Sequence, residues 1–147
     1  MREESAGVTS IRVAESDPEI ARCFRVMQQL RTHLVEHEFV PRVRRQQLGG
    51  YRLAYAEDGA DICAVAGFRL IDNLVSGRVL YVDDLVTDVA QRSRGYGKAL
   101  LDGLIQQARD EECQALELDS GVQRFDAHRF YLTNRMSISS YHFTLKL

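Results

Sequence analysis

Leu80-Tyr-Val-Asp-Asp-Leu-Val-Thr-Asp-Val-Ala-Gln-Arg-Ser-Arg-Gly-Tyr-Gly-Lys-Ala-Leu-Leu101 passes from a strand pattern through a polar, glycine-bearing turn into an amphipathic helix pattern. A turn that ends where a helix begins leaves several backbone N–H groups without intrahelical acceptors and points them the same way. The positive end of the helix dipole adds to their pull on an anion. Gly95 and Gly97 suit this geometry, because without a Cβ they let a phosphate come close to the backbone. Arg92, Arg94 and Lys98 place positive charge around the turn. The segment predicts a site for a phosphorylated ligand.

The spacing departs from two common phosphate loops. A P-loop needs Gly, four residues, then Gly-Lys-Ser/Thr, and a dinucleotide fingerprint needs Gly-x-Gly-x-x-Gly after the first strand of a βαβ unit. The chain instead has Arg92-Ser-Arg-Gly-Tyr-Gly97, flanked by a predicted strand over 79–87 and a predicted helix from about Gly97 to Glu112. In that order the segment resembles the acyl-CoA pyrophosphate loop of the GNAT superfamily of N-acyltransferases. The resemblance implies acetyl-CoA as cosubstrate, held by Arg92, Ser93, Arg94, Gly95, Tyr96, Gly97, Lys98 and Ala99. It also implies main-chain contacts from Leu85, Val86 and Thr87 to the acyl-pantetheine arm.

A length of 147 residues with 45% hydrophobic content predicts one domain over 1–147 with a real core. The formal charge of −2 gives no global basic field, so nucleic acid is not the expected partner. Arg42, Arg44 and Arg45 read as a solvated helix face. Cys23, Cys63 and Cys113 are odd in number and far apart, which fits neither a disulfide framework nor a zinc spacing and points to a reducing, cytoplasmic setting. No apolar run reaches membrane-spanning length, and Met-Arg-Glu-Glu-Ser-Ala-Gly at the start lacks the apolar core of a signal peptide. His33, His37, His128 and His142 show no metal-ligand spacing, so no metal is expected. Asp119 and His128 could approach each other, with His142 joining from the last strand.

Ile11 to Ala14 reads as a short strand, and Ser16-Asp-Pro-Glu19 as a helix start. Ile20, Phe24, Met27, Leu30 and Leu34 recur at helical spacing. The stretch 36–41 breaks that pattern, and Val43 to Leu48 forms a second short helix in this reading. The segments 51–57 and 62–70 read as a hairpin turned at Asp58-Gly-Ala-Asp61. After the helix, 115–119 reads as a strand, 125–134 as a helix, and 137–147, with Tyr141, Phe143, Leu145 and Leu147 alternating against polar residues, as a closing strand. The fold class is α/β (α+β). The resemblance implies a GNAT-like mixed, mostly antiparallel sheet of six to seven strands flanked by about four helices.

Acyl transfer to an amine needs the nucleophile deprotonated, the oxyanion stabilised and the leaving thiolate protonated. Ala127-His-Arg-Phe-Tyr131 resembles the family's Ala-x-x-x-Tyr pattern, which implies that the Tyr131 hydroxyl meets the thiolate as general acid. A core tyrosine beside Phe130 is the alternative. Asp83 and Asp84 are adjacent on a strand, so only one is expected to face the site. The family's acidic residue before an apolar one, here Leu85, selects Asp84 as base or ammonium binder, with Asp83 in reserve. Glu36 and Glu38 are weaker candidates for holding the substrate's ammonium.

The last quarter of the chain also resembles small bacterial aminoalkylphosphonate-type acetyltransferases, which implies a small-molecule amine acceptor. Two positions depart from the family pattern: Arg135-Met136 stands where a glycine usually ends the last helix, and Arg124 where asparagine is common. The alternatives are a non-catalytic acyl-CoA sensor and a protein lysine or N-terminal acetyltransferase. A homodimer through the closing strand is a prior expectation for so small a domain.

Overall fold

The computed structural model describes residues 10–147, so the reading of the first seven residues lies outside them. Strand β1 (Ser10–Val13) is followed by helix α1 (Asp17–Arg22), whose start is fixed by a reciprocal cap. The Glu19 N–H donates to Ser16 Oγ at 3.2 Å, and the Ser16 N–H to Glu19 Oε1 at 3.1 Å. The single helix expected through Leu34 is interrupted at Cys23, whose N–H reaches back three residues to the Ile20 carbonyl. It resumes as α2 (Phe24–Leu30).

Helix α3 (Glu36–Gln47) overturns the expected break over 36–41 and the separate helix from Val43 to Leu48. Pro41 inside it removes one N–H bond, a cost of ~3 kcal/mol in a helix interior. Phe39 and Val43, one turn apart, are both buried. Their burial contributes ~1.5–3 kcal/mol each, enough to offset the proline. The Phe39 ring meets Phe24 edge-on at 5.4 Å, which ties α3 to α2.

Strands β2 (Arg52–Asp58), β3 (Asp61–Asn73) and β4 (Gly77–Thr87) form an antiparallel meander, with Tyr55 opposite Val65 and Val65 opposite Val86. After a 3-10 turn (Val89–Gln91) come α4 (Tyr96–Asp110) and β5 (Ala115–Leu118). The sheet order is β1-β2-β3-β4-β5. Leu53, Tyr55, Phe68 and Leu80 in the sheet and Ile20, Val26, Leu100 and Leu101 in the helices are fully buried.

The mixed, mainly antiparallel fold class is as expected, but the sheet has five strands among the described residues rather than six to seven, and five helices accompany it. The missing strand is the tail 137–147, which has no ladder here. Alternation marks which side chains would share a face, but a strand forms only where another strand supplies its hydrogen bonds. Tyr141, Phe143 and Leu145 stay exposed.

Contacts divide the chain into two compact units, one ending at Glu117 and one spanning Leu118–Leu147. The second carries α5 (Phe125–Thr133) and the tail. Among the described residues no helix is long and apolar enough to cross a membrane.

Candidate active site

The loop after β4 runs directly into the start of α4, as its sequence predicts. Gly95 caps α4 at φ 85°, and Ser93 takes φ 67°, with Arg94 between them outside the left-handed region. Alternation of this kind turns successive N–H groups toward one side, forming a concavity for an anion. The first backbone bond of α4 runs from the Ala99 N–H to the Gly95 carbonyl at 2.9 Å. The N–H groups of Tyr96 and Gly97 therefore have no intrahelical acceptor. Gly97 lies inside the first turn of α4, so the helix starts one residue earlier than expected and only Gly95 uses the left-handed region.

Arg92, Ser93, Arg94 and Lys98 are exposed. Arg94 donates to Gln91 Oε1 at 3.0 Å, and Lys98 pairs with Asp102 at 3.2 Å. Tyr96 is buried and its hydroxyl donates to Asp58 Oδ2 at 2.6 Å. This bond, with burial, pushes the phenol up to about 12. The helix end of the loop is thereby fastened to the last residue of β2. Leu85, Val86 and Thr87 pair with Ala66, Val65 and Ala64 on β3, and Leu85 and Val86 are buried.

The two strand carboxylates are arranged differently from the simple alternation expected. Gly67 opposes Asp84 and Phe68 opposes Val82, so Asp83 is the extra residue of a β-bulge. Both acids consequently join one cluster. Asp84 Oδ1 accepts from Arg31 Nε at 2.8 Å, and Asp84 Oδ2 from the Tyr51 hydroxyl at 2.8 Å. Asp83 Oδ2 accepts from Arg69 Nε at 2.9 Å, while its backbone carbonyl takes Arg31 Nη2 at 2.9 Å. Arg69 also donates to Gln46 and lies over the Tyr51 ring at 5.4 Å.

Charge in this cluster is balanced, two carboxylates against two guanidinium groups, yet the acids differ. Both oxygens of Asp84 are engaged. Asp83 Oδ1 is buried without a hydrogen-bond partner among the described residues, and burial pushes its carboxyl up against the opposing pull of Arg69. Burial and the neighbouring Asp84 charge raise the Tyr51 phenol well above its ordinary value, so it is a hydrogen-bond donor at any working pH.

In the second unit Tyr131 sits on α5 with its ring 5.6 Å from Phe130. Burial raises its phenol, and Arg124 opposes the shift. His142 Nδ1 stands 3.2 Å from Asp119 Oδ2, while His128 Nε2 meets the Gly121 carbonyl at 2.7 Å instead of Asp119. Glu36 and Glu38 occupy the exposed first turn of α3, and Glu38 lies 3.7 Å from His37. Among the described residues no group of His, Cys, Asp and Glu could hold a metal ion.

Sequence reasoning missed Arg31, Tyr51 and Arg69. Each lies many residues from the acids it serves, and an isolated arginine or tyrosine carries no spacing signal. Gly67 on β3 was the available hint, since a glycine in a strand often marks a bulge or a close approach.

Residues 13–134 match the Acetyltransferase (GNAT) family. The chain is 37% identical over 131 residues to a Bacillus subtilis (strain 168) protein named Uncharacterized N-acetyltransferase YhdJ, covering 87% of this chain and 92% of that one. Its fold is similar to a structure titled as a transcriptional regulator from Bacillus halodurans C-125, at TM-score 0.81 and 20% identity over 95% of this chain and 99% of the other. It is equally similar in fold, TM-score 0.81 at 14% identity and the same coverage, to a ribosomal-protein-alanine N-acetyltransferase from Brucella melitensis. A strand, a glycine-capped loop and a helix in this order, within a sequence matching over most of its length, lead to one conclusion: the chain belongs to the GNAT family of acetyltransferases.

Proposed function

We propose that the protein moves the acetyl group of acetyl-CoA to a primary amine of a small metabolite by direct attack in a ternary complex. The observation that carries this reading is the loop from Arg92 to Ala99, where left-handed Ser93 and Gly95 and the Tyr96 and Gly97 N–H groups, which have no intrahelical acceptor, suit a pyrophosphate. When bound, acetyl-CoA would supply the thioester whose C–S bond breaks as the C–N bond forms.

Leu85, Val86 and Thr87 offer main-chain groups for the acyl-pantetheine. Because Asp84 is held by Arg31 and Tyr51, its role is to position; Asp83, its carboxyl raised by burial, takes a proton from the substrate's ammonium, and the free amine that results attacks the thioester carbonyl. Tyr131, assigned by the motif around it, returns a proton to the leaving thiolate. The small-amine acceptor, with aminoalkylphosphonates foremost, rests on the likeness of the last quarter of the chain. Glu36 and Glu38 are placed with the acceptor on charge alone. Three free cysteines fit a cytoplasmic setting. The exposed apolar side chains of the tail fit pairing with a second copy, which sedimentation at two concentrations would test.

The deciding experiment is thiol release from acetyl-CoA across aminoalkylphosphonates, polyamines, amino acids, aminoglycosides and basic peptides. Saturable turnover with a small amine supports the proposal. Turnover confined to peptides moves the acceptor to protein, and silence with CoA binding intact replaces the enzyme with an acyl-CoA sensor.

A further inference from the structure

Residues 89–95 are mostly exposed, and the left-handed conformation at Ser93 costs ~1–2 kcal/mol for a residue with a Cβ. Such a loop keeps its shape only where its surroundings over-determine it. Its helix end is fastened by Tyr96 to Asp58. Its strand end is held differently, by a buried carboxylate that the acyl-transfer reading leaves without a role.

Asp88, 3% exposed, lies between β4 and the 3-10 turn. Its Oδ1 accepts from the Ala90 N–H at 3.2 Å and from Gln29 Nε2 at 3.1 Å, and its Oδ2 accepts from Arg25 Nη2 at 2.9 Å. Gln29 Oε1 in turn accepts the Val89 N–H at 2.9 Å. One amide side chain thus contacts two consecutive residues at the start of the loop. Arg25 and Gln29 both stand on α2, whose Phe24, Val26 and Met27 are buried in the core. A buried carboxylate left without partners is expensive, so this arrangement has few alternatives.

We infer that Asp88, Gln29 and Arg25 are positioning residues that fix the phosphate loop to α2, so that cofactor affinity depends on a helix with no residue of its own in the loop. This rests on the acyl-CoA reading above. A loop already in its bound shape loses less conformational freedom on binding, and breaking the Gln29 bridge would restore that cost.

The test measures calorimetric dissociation constants for coenzyme A, and for pantetheine by displacement, with wild type, Gln29→Met and Asp88→Asn. Gln29→Met keeps the length of the side chain and removes both hydrogen bonds. We expect a dissociation constant for coenzyme A raised about tenfold, with that for pantetheine, which has no pyrophosphate, unchanged within about twofold. Asp88→Asn should do the same if it folds, and Gln29→Met alone decides the matter if it does not. Unchanged coenzyme A affinity, or equal losses for both ligands, would overturn the positioning role. Wild type that binds pantetheine but not coenzyme A, or binds neither, would remove the acyl-CoA reading itself and the inference with it.

Discussion

The Tyr51 hydroxyl donates to Asp84 Oδ2 across 2.8 Å, and it can do so because Gly67, the residue opposite Asp84 in the β3–β4 ladder, has no side chain. A Cβ at Gly67 would run into the Tyr51 hydroxyl and ring. Gly67→Ala must therefore displace a buried tyrosine and break its bond to Asp84. Overpacking of this kind costs ~1–3 kcal/mol. Urea unfolding should show a lower midpoint with unchanged slope, and Gly67→Ala/Tyr51→Leu should recover part of the loss. If the single variant is as stable as wild type, Tyr51 does not hold Asp84 as described.

The two neighbouring acids should separate in kinetics. With Asp83 as proton acceptor, Asp83→Asn lowers kcat by about 10²–10⁴-fold, the usual range for a lost general base. Because burial raises the Asp83 carboxyl, the acidic limb of the wild-type pH profile should lie above the ordinary aspartate value and vanish in this variant. Asp84→Asn should keep the limb and show its loss mainly in acceptor KM, as Arg31 and Tyr51 lose their partner. An intact limb in Asp83→Asn would return the base role to Asp84 or to water.

Acid stability should depend on Glu19. The Ser16 N–H, the Tyr55 hydroxyl and the Glu15 N–H lower its carboxyl from 4.5 to about 2. A folded-state value below the unfolded one means that stability is fully present above about 4.5 and is lost as pH falls toward 2. Glu19→Gln should give a flatter dependence of denaturation midpoint on pH within that window. Equal slopes for the two proteins would show that the carboxylate bonds contribute nothing in solution.

What the sequence disclosed follows from how local each feature is. The Arg92 to Gly97 loop, the Ser16 cap and the hairpin at Asp58 are encoded within a few residues, so their residue types suffice. The bulge at Asp83 is invisible to period-two reasoning, which assigned the two acids to opposite faces. It depends on how β3 and β4 pair, and Gly67 alone hinted at it. The continuity of α3 through Pro41 depends on burial of Phe39 and Val43, a tertiary effect that overrides the local penalty. The tail misled in the opposite sense, since alternation at Tyr141, Phe143, Leu145 and Leu147 carries no information about whether a partner strand is present.

Tyr131→Phe separates chemistry from binding. Loss of the proton donor should lower kcat by about 10²-fold or more with coenzyme A affinity held within about twofold. Burial keeps the wild-type phenol protonated to higher pH than usual, so any loss of the donor on the basic side should set in above the ordinary phenol value. A kcat unchanged from wild type would leave Tyr131 as a packing residue beside Phe130.

Gly95→Ala tests the phosphate loop most directly, provided that backbone strain is separated from lost contacts. At φ 85° an alanine is strained by ~1–2 kcal/mol even though the space around it is open. Gly77, at φ 71° where β4 begins, supplies the control, because an added Cβ there meets only the Gln114 side chain at an ordinary 3.6 Å. Both variants should lose similar stability. Only Gly95→Ala should also weaken coenzyme A binding, by about tenfold, because relief of its strain swings the N–H groups of Tyr96 and Gly97 away from the anion. If both weaken it equally, the effect is general destabilisation; if neither does, the left-handed cap at Gly95 serves the helix and not the ligand.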